Sequence, residues 1–454
     1  MISYPLRILR HLGVDPIVVV IGYGADAVSR TCAQPGVRFA RQSRQRGTGH
    51  AALAARKALR GFRGDVLLVN SDLPLLRTET FSELLREHQE AAAAVSLVTA
   101  EVDDPRGLGR IERDGAGRVL RIVEDRDANQ AQARIREINV GLYCADVGYL
   151  FGALDSLEPA NAQNELYLTD IIELAGGAGR TIATTSAKSI EACQISSRSD
   201  LAQVERMLRD DINRKWMDAG VTMEDPATAY IGPDVSIGQD TVIGPNVTLR
   251  GRTSVGKSCR FDGSAFLTGA TIGSHVHIKF GVVITDSVVE DEVVIGPFAQ
   301  LRPETHLKKG VHIGDFVETK KAVIGARTKA NHLAYLGDTE IGEDSNIGAG
   351  TITCNYDGFG KHRTNIGSRV QVGSDSQLVA PVRIGDDAYV ATGSTVRTDV
   401  EPGALFFNPR TEERRSGWVA ARRKREGAGE KRAKKPRAAK KAPAATSRRR
   451  KSRS

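Results

Sequence analysis

The chain has 454 residues, more than one ordinary hydrophobic core organises, which predicts two or three domains. Its hydrophobic fraction is 40% and no apolar run approaches the roughly 18 residues of a membrane span, which excludes a transmembrane helix on sequence grounds. The net charge of +9 sits at one end: residues 419–454 hold sixteen Lys/Arg against two Glu, a net of +14 that leaves −5 on the rest, so the folded part is not expected to be a basic nucleic-acid-binding body.

The opening "MISYPLRILRHLG" lacks the charged start, apolar stretch and small-residue cleavage site of a secretory signal. The five cysteines, Cys32, Cys144, Cys193, Cys259 and Cys354, are odd in number and form no C-x-x-C pair. Both features predict a cytoplasmic protein with reduced thiols, without a disulfide framework or zinc site.

Residues 1–198 alternate strand-like and helix-like segments. "PIVVVIGYG" (16–24) is a valine-rich run ended by glycines, and "DVLLVNSDLPLL" (65–76) is a second strand with an Asp near its end. "GTGHAALAARKAL" (47–59) and "FSELLREHQEAAAA" (81–94) read as helices, and "AVSLVTAEV" (94–102) as a strand. The alternation predicts an α/β domain with a mainly parallel sheet. A linker helix is expected over 199–226, where "SDLAQVERMLRDDINRKWMDAG" has helical apolar spacing.

The period then changes to six. Apolar residues recur at Ile231, Ile237, Ile243, Leu249, Val255, Phe261 and Leu267, slip by one, and resume at Ile272, Ile278 and Ile284. They return at Ile295, Leu301, Leu307 and Ile313, at Leu336, Ile341 and Ile347, and from Ile366 through Val372, Leu378, Ile384, Val390 and Val396. A hexapeptide period predicts a parallel β-helix over 227–405, with three flats and about 18 residues per coil and each aliphatic residue pointing into the shaft. Between Thr353 and Ile366 the spacing is thirteen, so an insert containing "CNYDGFGKHRTN" is expelled as a loop. Residues 406–418 form an extension. The Lys/Arg/Ala/Pro tail 419–454 cannot bury enough apolar surface to fold; it serves solubility or binds polyanions without sequence preference, since it has no aromatic residue for base stacking.

Chemistry-bearing side chains gather at one height of this β-helix: Arg302, Lys320, His332, Tyr335, Asn346, Asn355 and Tyr356 lie within 55 residues. Arg302 and Lys320 are 18 apart, so consecutive coils stack a forked and a point-like cation, which suits one phosphate. A pair of solvated surface charges is the alternative. His332 is a candidate general base, with a structural imidazole that merely fits its place as the alternative.

The segments "IGPFAQLRPETHL", "IGDFVETKKA", "NHLAYLGDTEIGEDSNIGAGTITCNYDG" and "VGSDSQLVAPV" resemble the acetyltransferase half of the bifunctional N-acetylglucosamine-1-phosphate uridylyltransferase/glucosamine-1-phosphate acetyltransferase (GlmU) family. Upstream, "RGTGHA", "DDPRGLGRI", "IVEDRDA", "EINVG" and "NELYLTDII" extend the resemblance to residues 1–418. It implies a left-handed β-helix, a homotrimer and an acetyl-CoA groove between subunits. By motif, His332 takes the general base, Arg302 and Lys320 the sugar phosphate, and Tyr335 and Asn346 the sugar. Ala349, Asn355, Tyr356, Ser374 and Thr392 take acetyl-CoA. Acetyl transfer to an amine needs a base and a donor for the thioester oxyanion, and that donor is left open between Asn355 and Ser374. The family's late CoA-contacting arginine falls on Pro409, with Arg410 one position away.

The first half departs further. The family opens with a glycine-rich phosphate loop and a lysine, and Met1 aligns just after them. Gln42, Gly47, Thr48, Asn70, Gly109, Glu124 and Asn139 match the uracil- and sugar-binding positions, and Asp72 the Mg²⁺ carboxylate. Ser71 replaces a glycine, and Ser196 stands where the second metal ligand is an asparagine; a hydroxyl is a shorter, poorer Mg²⁺ ligand. Either the start is misplaced or the loop is lost, and the two internal serines favour the second. Three functions compete: an acetyltransferase with its uridylyl transfer weak or lost, making N-acetylglucosamine 1-phosphate for peptidoglycan and lipopolysaccharide precursors; the full bifunctional enzyme, with acetyl-CoA and UTP as substrates and Mg²⁺ as cofactor; and an idle β-helix scaffold with a polyanion-binding tail.

Overall fold

A computed structural model describes residues 1–409 and 411–433. Arg410 and residues 434–454 lie outside the described residues. The chain divides into two compact units, Met1–Asp286 and Ser287–Ser454.

In the first unit, the strand-like runs form strands Ile17–Ile21, Val37–Arg41, Asp65–Val69 and Val95–Glu101, and the helix-like runs form helices Thr48–Ala54 and Thr78–Glu90. The sheet is not mainly parallel. Ile17–Ile21 pairs with Val37–Arg41 as a separate two-stranded parallel sheet. The larger sheet is built around strand Glu137–Asp146, which lies antiparallel to both Asp65–Val69 and Val95–Glu101. Strand Ile182–Ser186 adds in parallel to Val95–Glu101. Strand direction depends on how each connection returns, which composition and periodicity do not encode. The core has two parts, one around Phe81, Leu84, Ile138 and Leu142 and one around Leu97, Leu150, Ile171 and Ile172.

Helix Arg198–Asp218 begins on a reciprocal cap: the Asp200 backbone N–H donates to Ser197 Oγ, and Asp200 accepts from the Ser197 N–H. Its buried Asn213 donates to the carbonyls of Pro226 and Ala229 at 2.8 and 3.0 Å, holding it to the entry of the hexapeptide region.

From Thr222–Met223 onward, short strands stack in parallel. In the first unit Tyr230 pairs with Thr248, eighteen residues on, and Ser254 with Thr271, seventeen on, which is the slip in the period. In the second unit Val288 pairs with His306 and Gln371 with Tyr389, both eighteen on. Every aliphatic residue of the six-residue period is buried, none more than 6% exposed. Within each unit the coils therefore close on an apolar shaft, and successive coils pair backbone to backbone. The insert leaves between Asn355 and Arg363, a stretch outside the strands that flank it.

Residues Trp418–Ala433 form a helix where composition predicts no folded structure. Alanine, arginine, lysine and glutamate favour helix, and Arg422 pairs with Glu426 one turn on at 2.7 Å. Its described side chains are all exposed, so no core supports it, as the composition implies.

Candidate functional site: a column of residues on successive coils

In the second unit, His332 ends strand Lys329–His332 and pairs in register with Asp315 of the preceding coil. Asp315 Oδ1 lies 2.8 Å from His332 Nδ1. With the carboxylate accepting from Nδ1–H, the imidazole lone pair is on Nε2. The side chain is 64% exposed.

The same column continues upward. The corner carbonyl of Leu333 accepts from Gly350 N–H, that of Ala349 from Asp375 N–H, and that of Ser374 from Gly393 N–H. Ile347 pairs with Val372 and Val372 with Val390, which puts Ala349, Ser374 and Thr392 at matching positions two residues later. Asp315, His332, Ala349, Ser374 and Thr392 thus occupy one position in five consecutive coils. Asn346 stands three residues before Ala349, in register with Lys329 and Gln371, beside the column.

Around the next corner lies a second group. Arg302 follows the Leu301–Thr319 pair, its N–H donating to the Thr319 carbonyl, which places it over Lys320. Arg302 Nη1 is 2.7 Å from Glu318, and Glu318 is in register with Tyr335. Lys320 is held below the ordinary lysine value, chiefly by Lys361 and then by Arg302, with Asp338 opposing them. Three cations crowded this way can take an anion between them.

Asn355, nearly buried, donates to Asp338 at 2.5 Å and lies 3.4 Å from the Tyr335 hydroxyl. Gly337 makes this possible: a Cβ there would fall 2.4 Å from the Tyr335 hydroxyl and 2.8 Å from Asn355 Nδ2. The insert is self-braced. Asp357 accepts from the Phe359 and Gly360 N–H groups and from His362, which drives its carboxyl well below the usual range. Tyr356 and Phe359 are left exposed, with the Tyr356 hydroxyl donating to Gly358. Cys354 is pushed up by burial, the reverse of an activated thiol.

Sequence reasoning missed Asp315, Lys361, Asp338 and Glu318. Asp315 is seventeen residues from His332, a signal only once the local coil length is known; Lys361 is hidden in the insert.

In the first unit, two groups meet on segment 166–169. Gln42 donates to the Gly47 carbonyl and lies 3.1 Å from His50 Nδ1. Gly47 leads into helix Thr48–Ala54, and Thr48 Oγ1 accepts from Leu168 N–H at 3.0 Å. Thr169 then donates to Glu124 at 3.0 Å. Burial raises Glu124, and it raises the neighbouring Asp170 to about 6, with Glu173, Glu124 and Asp127 adding to that rise. Gly109 accepts from Asn139 N–H, and Asn139 bonds the Tyr143 hydroxyl and Gly141 N–H. Gly141 allows the close approach of Asn70, whose Nδ2 would be 2.5 Å from a Cβ there.

Asp72 is raised by burial, a carboxylate short of countercharge, and its carbonyl accepts from Ile195 N–H, bringing Ser196 to its vicinity. Ser71 and Ser196 are exposed. No cluster of three or more His, Cys, Asp or Glu side chains able to hold a metal occurs among the described residues. The donor set fits Mg²⁺, which is commonly held by one or two carboxylates together with substrate phosphates. No helix among the described residues is long and apolar enough to cross a membrane.

The nucleotidyl transferase family model matches residues 1–225, and the model for the hexapeptide repeat of succinyl-transferase matches residues 363–397. Three similar curated proteins, each named bifunctional protein GlmU, come from Pelobacter propionicus, Geotalea uraniireducens and Trichlorobacter lovleyi. The first is 48% identical over 420 residues, covering 92% of this chain and 91% of that protein. The second is 46% identical over 420 residues, covering 92% of each. The third is 44% identical over 428 residues, covering 93% of this chain and 92% of that protein. The expectation that the first domain has lost its transfer is not supported: the nucleotidyl transferase match begins at residue 1 and the alignments run through both halves. This chain belongs to the GlmU family of bifunctional proteins.

Proposed function

We propose that the chain carries both transfers of the family. The hexapeptide half moves acetyl from acetyl-CoA to glucosamine 1-phosphate. The first half moves UMP from UTP to the resulting N-acetylglucosamine 1-phosphate and releases pyrophosphate. The product is UDP-N-acetylglucosamine for peptidoglycan and lipopolysaccharide precursors, made in the cytoplasm.

The observation that carries the acetyltransferase reading is the column of Asp315, His332, Ala349, Ser374 and Thr392. It sets a base with a free Nε2 in line with coil corners that offer backbone groups to an extended ligand such as CoA. In this reading the sugar phosphate lies on Arg302 and Lys320, with Lys361 beside them, and the sugar on Tyr335 and Asn346. The amine nitrogen attacks the thioester carbon, and its proton passes to His332 Nε2. Asp315 holds the ring's orientation and stabilises the imidazolium. The C–S bond then breaks, and the CoA thiolate leaves with a proton from the imidazolium. Asn355 and Tyr356, on the insert, are assigned to acetyl-CoA.

For the first half, Gln42, Gly47 and Thr48 are assigned to uracil, and Gly109, Glu124 and Asn139 to the sugar, with Asn70 in the same site. Asp72 would hold Mg²⁺, with Ser196 the weaker donor; bound there, the ion neutralises phosphate charge during transfer.

Self-association of the hexapeptide half is part of the reading. Phe298, Phe316 and Leu333 are exposed at corners with φ of 52°, 55° and 43°, and the two phenylalanine rings stack at 5.5 Å. Bulky apolar residues held left-handed in solvent are costly unless covered. A second copy of the chain, presenting the same ridge, is the partner.

The test supplies the purified chain with acetyl-CoA and glucosamine 1-phosphate, then separately with UTP, Mg²⁺ and N-acetylglucosamine 1-phosphate. CoA release and pyrophosphate release are both expected. Absence of the first overturns the acetyltransferase assignment; absence of the second overturns the bifunctional one.

A further inference from the structure

In the first unit, the stretch that follows helix Thr48–Ala54 turns tightly. Arg56 N–H donates to the Leu53 carbonyl, Leu59 N–H to that of Arg56 and Phe62 N–H to that of Leu59, three residues back each time. Turns of this pitch place residues three apart above one another, about 6 Å along the axis. Leu53, Arg56, Leu59 and Phe62 therefore form one row, and Lys57 and Arg60 a second row beside it. The two rows, with Phe151 of helix Val147–Asp155, line a 680 Å³ cavity.

The rows differ in how their charge is met. Arg56 lies over the Phe151 ring at 4.9 Å and donates to the Phe151 carbonyl and to Asp155, at 2.9 and 2.8 Å. That stack makes a flat wall, and Arg56 Nε is buried without a hydrogen-bond partner. Lys57 and Arg60 are exposed and, among the described residues, neither has an ion pair or a side-chain hydrogen bond. Two adjacent unmet cations attract an anion with two or more negative groups. Leu53, Leu59, Phe62 and Phe151 are half-buried in the walls. A bilayer surface takes protruding apolar side chains, whereas recessed ones beside a flat cation–ring wall take a planar ring. The volume lies within the range of small-ligand sites.

We propose that this cavity binds a nucleoside di- or triphosphate, with the phosphates on Lys57 and Arg60 and the base between Phe62 and the Arg56–Phe151 stack. It is separate from the uridylyl site, since Gly47 and Thr48, assigned to uracil, stand at the opposite end of helix Thr48–Ala54 from Lys57. The base is held chiefly by stacking, and the larger ring area favours a purine.

The test measures ATP binding to the full chain by equilibrium dialysis, with UDP-N-acetylglucosamine and CoA in excess to fill the sites assigned to the two transfers. One saturable site per chain is expected. Lys57→Gln/Arg60→Gln is expected to weaken it about tenfold or more, and Phe62→Ser about fivefold or more, with Tm kept within a few degrees. Inorganic triphosphate, which lacks the ring, is expected to compete about tenfold more weakly than ATP. The basic tail is present in every variant, so any anion binding of its own is common to all. No saturable site, equal affinity in either variant, or inorganic triphosphate competing as well as ATP overturns the proposal. Binding to phosphatidylglycerol vesicles that the double variant loses, in place of ATP binding, identifies a membrane surface instead and overturns it equally.

Discussion

Asp315 and His332 sit at the same position in successive coils, and the Asp315 carboxylate lies 2.8 Å from His332 Nδ1. Parallel in-register stacking enforces this relation: with a coil seventeen residues long here, the two side chains fall next to each other along the column. The carboxylate fixes which imidazole nitrogen is free.

Replacing Asp315 with alanine is expected to leave the fold and the KM for glucosamine 1-phosphate little changed while lowering the kcat of acetyl transfer by roughly tenfold or more, a fraction of what a positioned base contributes. Steady-state kinetics check this. Pyrophosphate release by the same variant is expected to match the native chain.

Lys320 is held below the usual lysine value by Lys361 and Arg302. The charged form is disfavoured by like charges, so removing one of them raises the value. Lys361→Met is expected to shift the Lys320 titration upward, read by NMR of isotope-labelled lysine Nζ, and to weaken glucosamine 1-phosphate binding. In the native chain, binding of the phosphate is expected to raise Lys320 as well, and to weaken as pH rises through its lowered value.

Gly337→Ala places a Cβ against the Tyr335 hydroxyl and Asn355 Nδ2. Both are ends of side chains and can shift, so the fold is expected to survive, with Tm within a few degrees. The displaced Tyr335 and Asn355 raise KM for both sugar and acetyl-CoA. Unchanged constants would show that neither side chain touches substrate.

Much of this was legible in advance because a six-residue aliphatic period admits one solution, a shaft of buried side chains. His332 and the Arg302/Lys320 pair stood out for the same reason, as polar exceptions at known register. Asp315 and Lys361 did not, since their meaning depends on a seventeen-residue coil and on where the insert folds back. The antiparallel placement of Glu137–Asp146 was equally hidden, because strand direction is settled by tertiary connection. The helix at Trp418–Ala433 reflects local propensity, which composition-based reasoning about core formation does not weigh.

Asp170, raised to about 6 by burial and by Glu173, Glu124 and Asp127, binds a proton more tightly folded than unfolded. Its folded value lies above its unfolded one, so stability falls as pH rises from about 4 to about 6 and is flat beyond that. Asp170→Asn is expected to abolish this slope and to stabilise the chain at pH 7 by about 1 kcal/mol, after discounting for solvent at a half-exposed carboxyl. Denaturant unfolding at a series of pH values checks it.

Phe316→Ser, at an exposed corner stacked on Phe298, is expected to weaken self-association without disturbing the shaft. Sedimentation should show a shift toward smaller species at equal concentration, with far-UV circular dichroism unchanged.

The most direct test of the account is CoA release from acetyl-CoA in the presence of glucosamine 1-phosphate, compared between the native chain and His332→Ala. The account predicts release by the native chain, a fall of about 100-fold or more in kcat for the variant with KM values kept, and an undiminished uridylyl transfer as the internal control. CoA release that is undiminished in His332→Ala would contradict it.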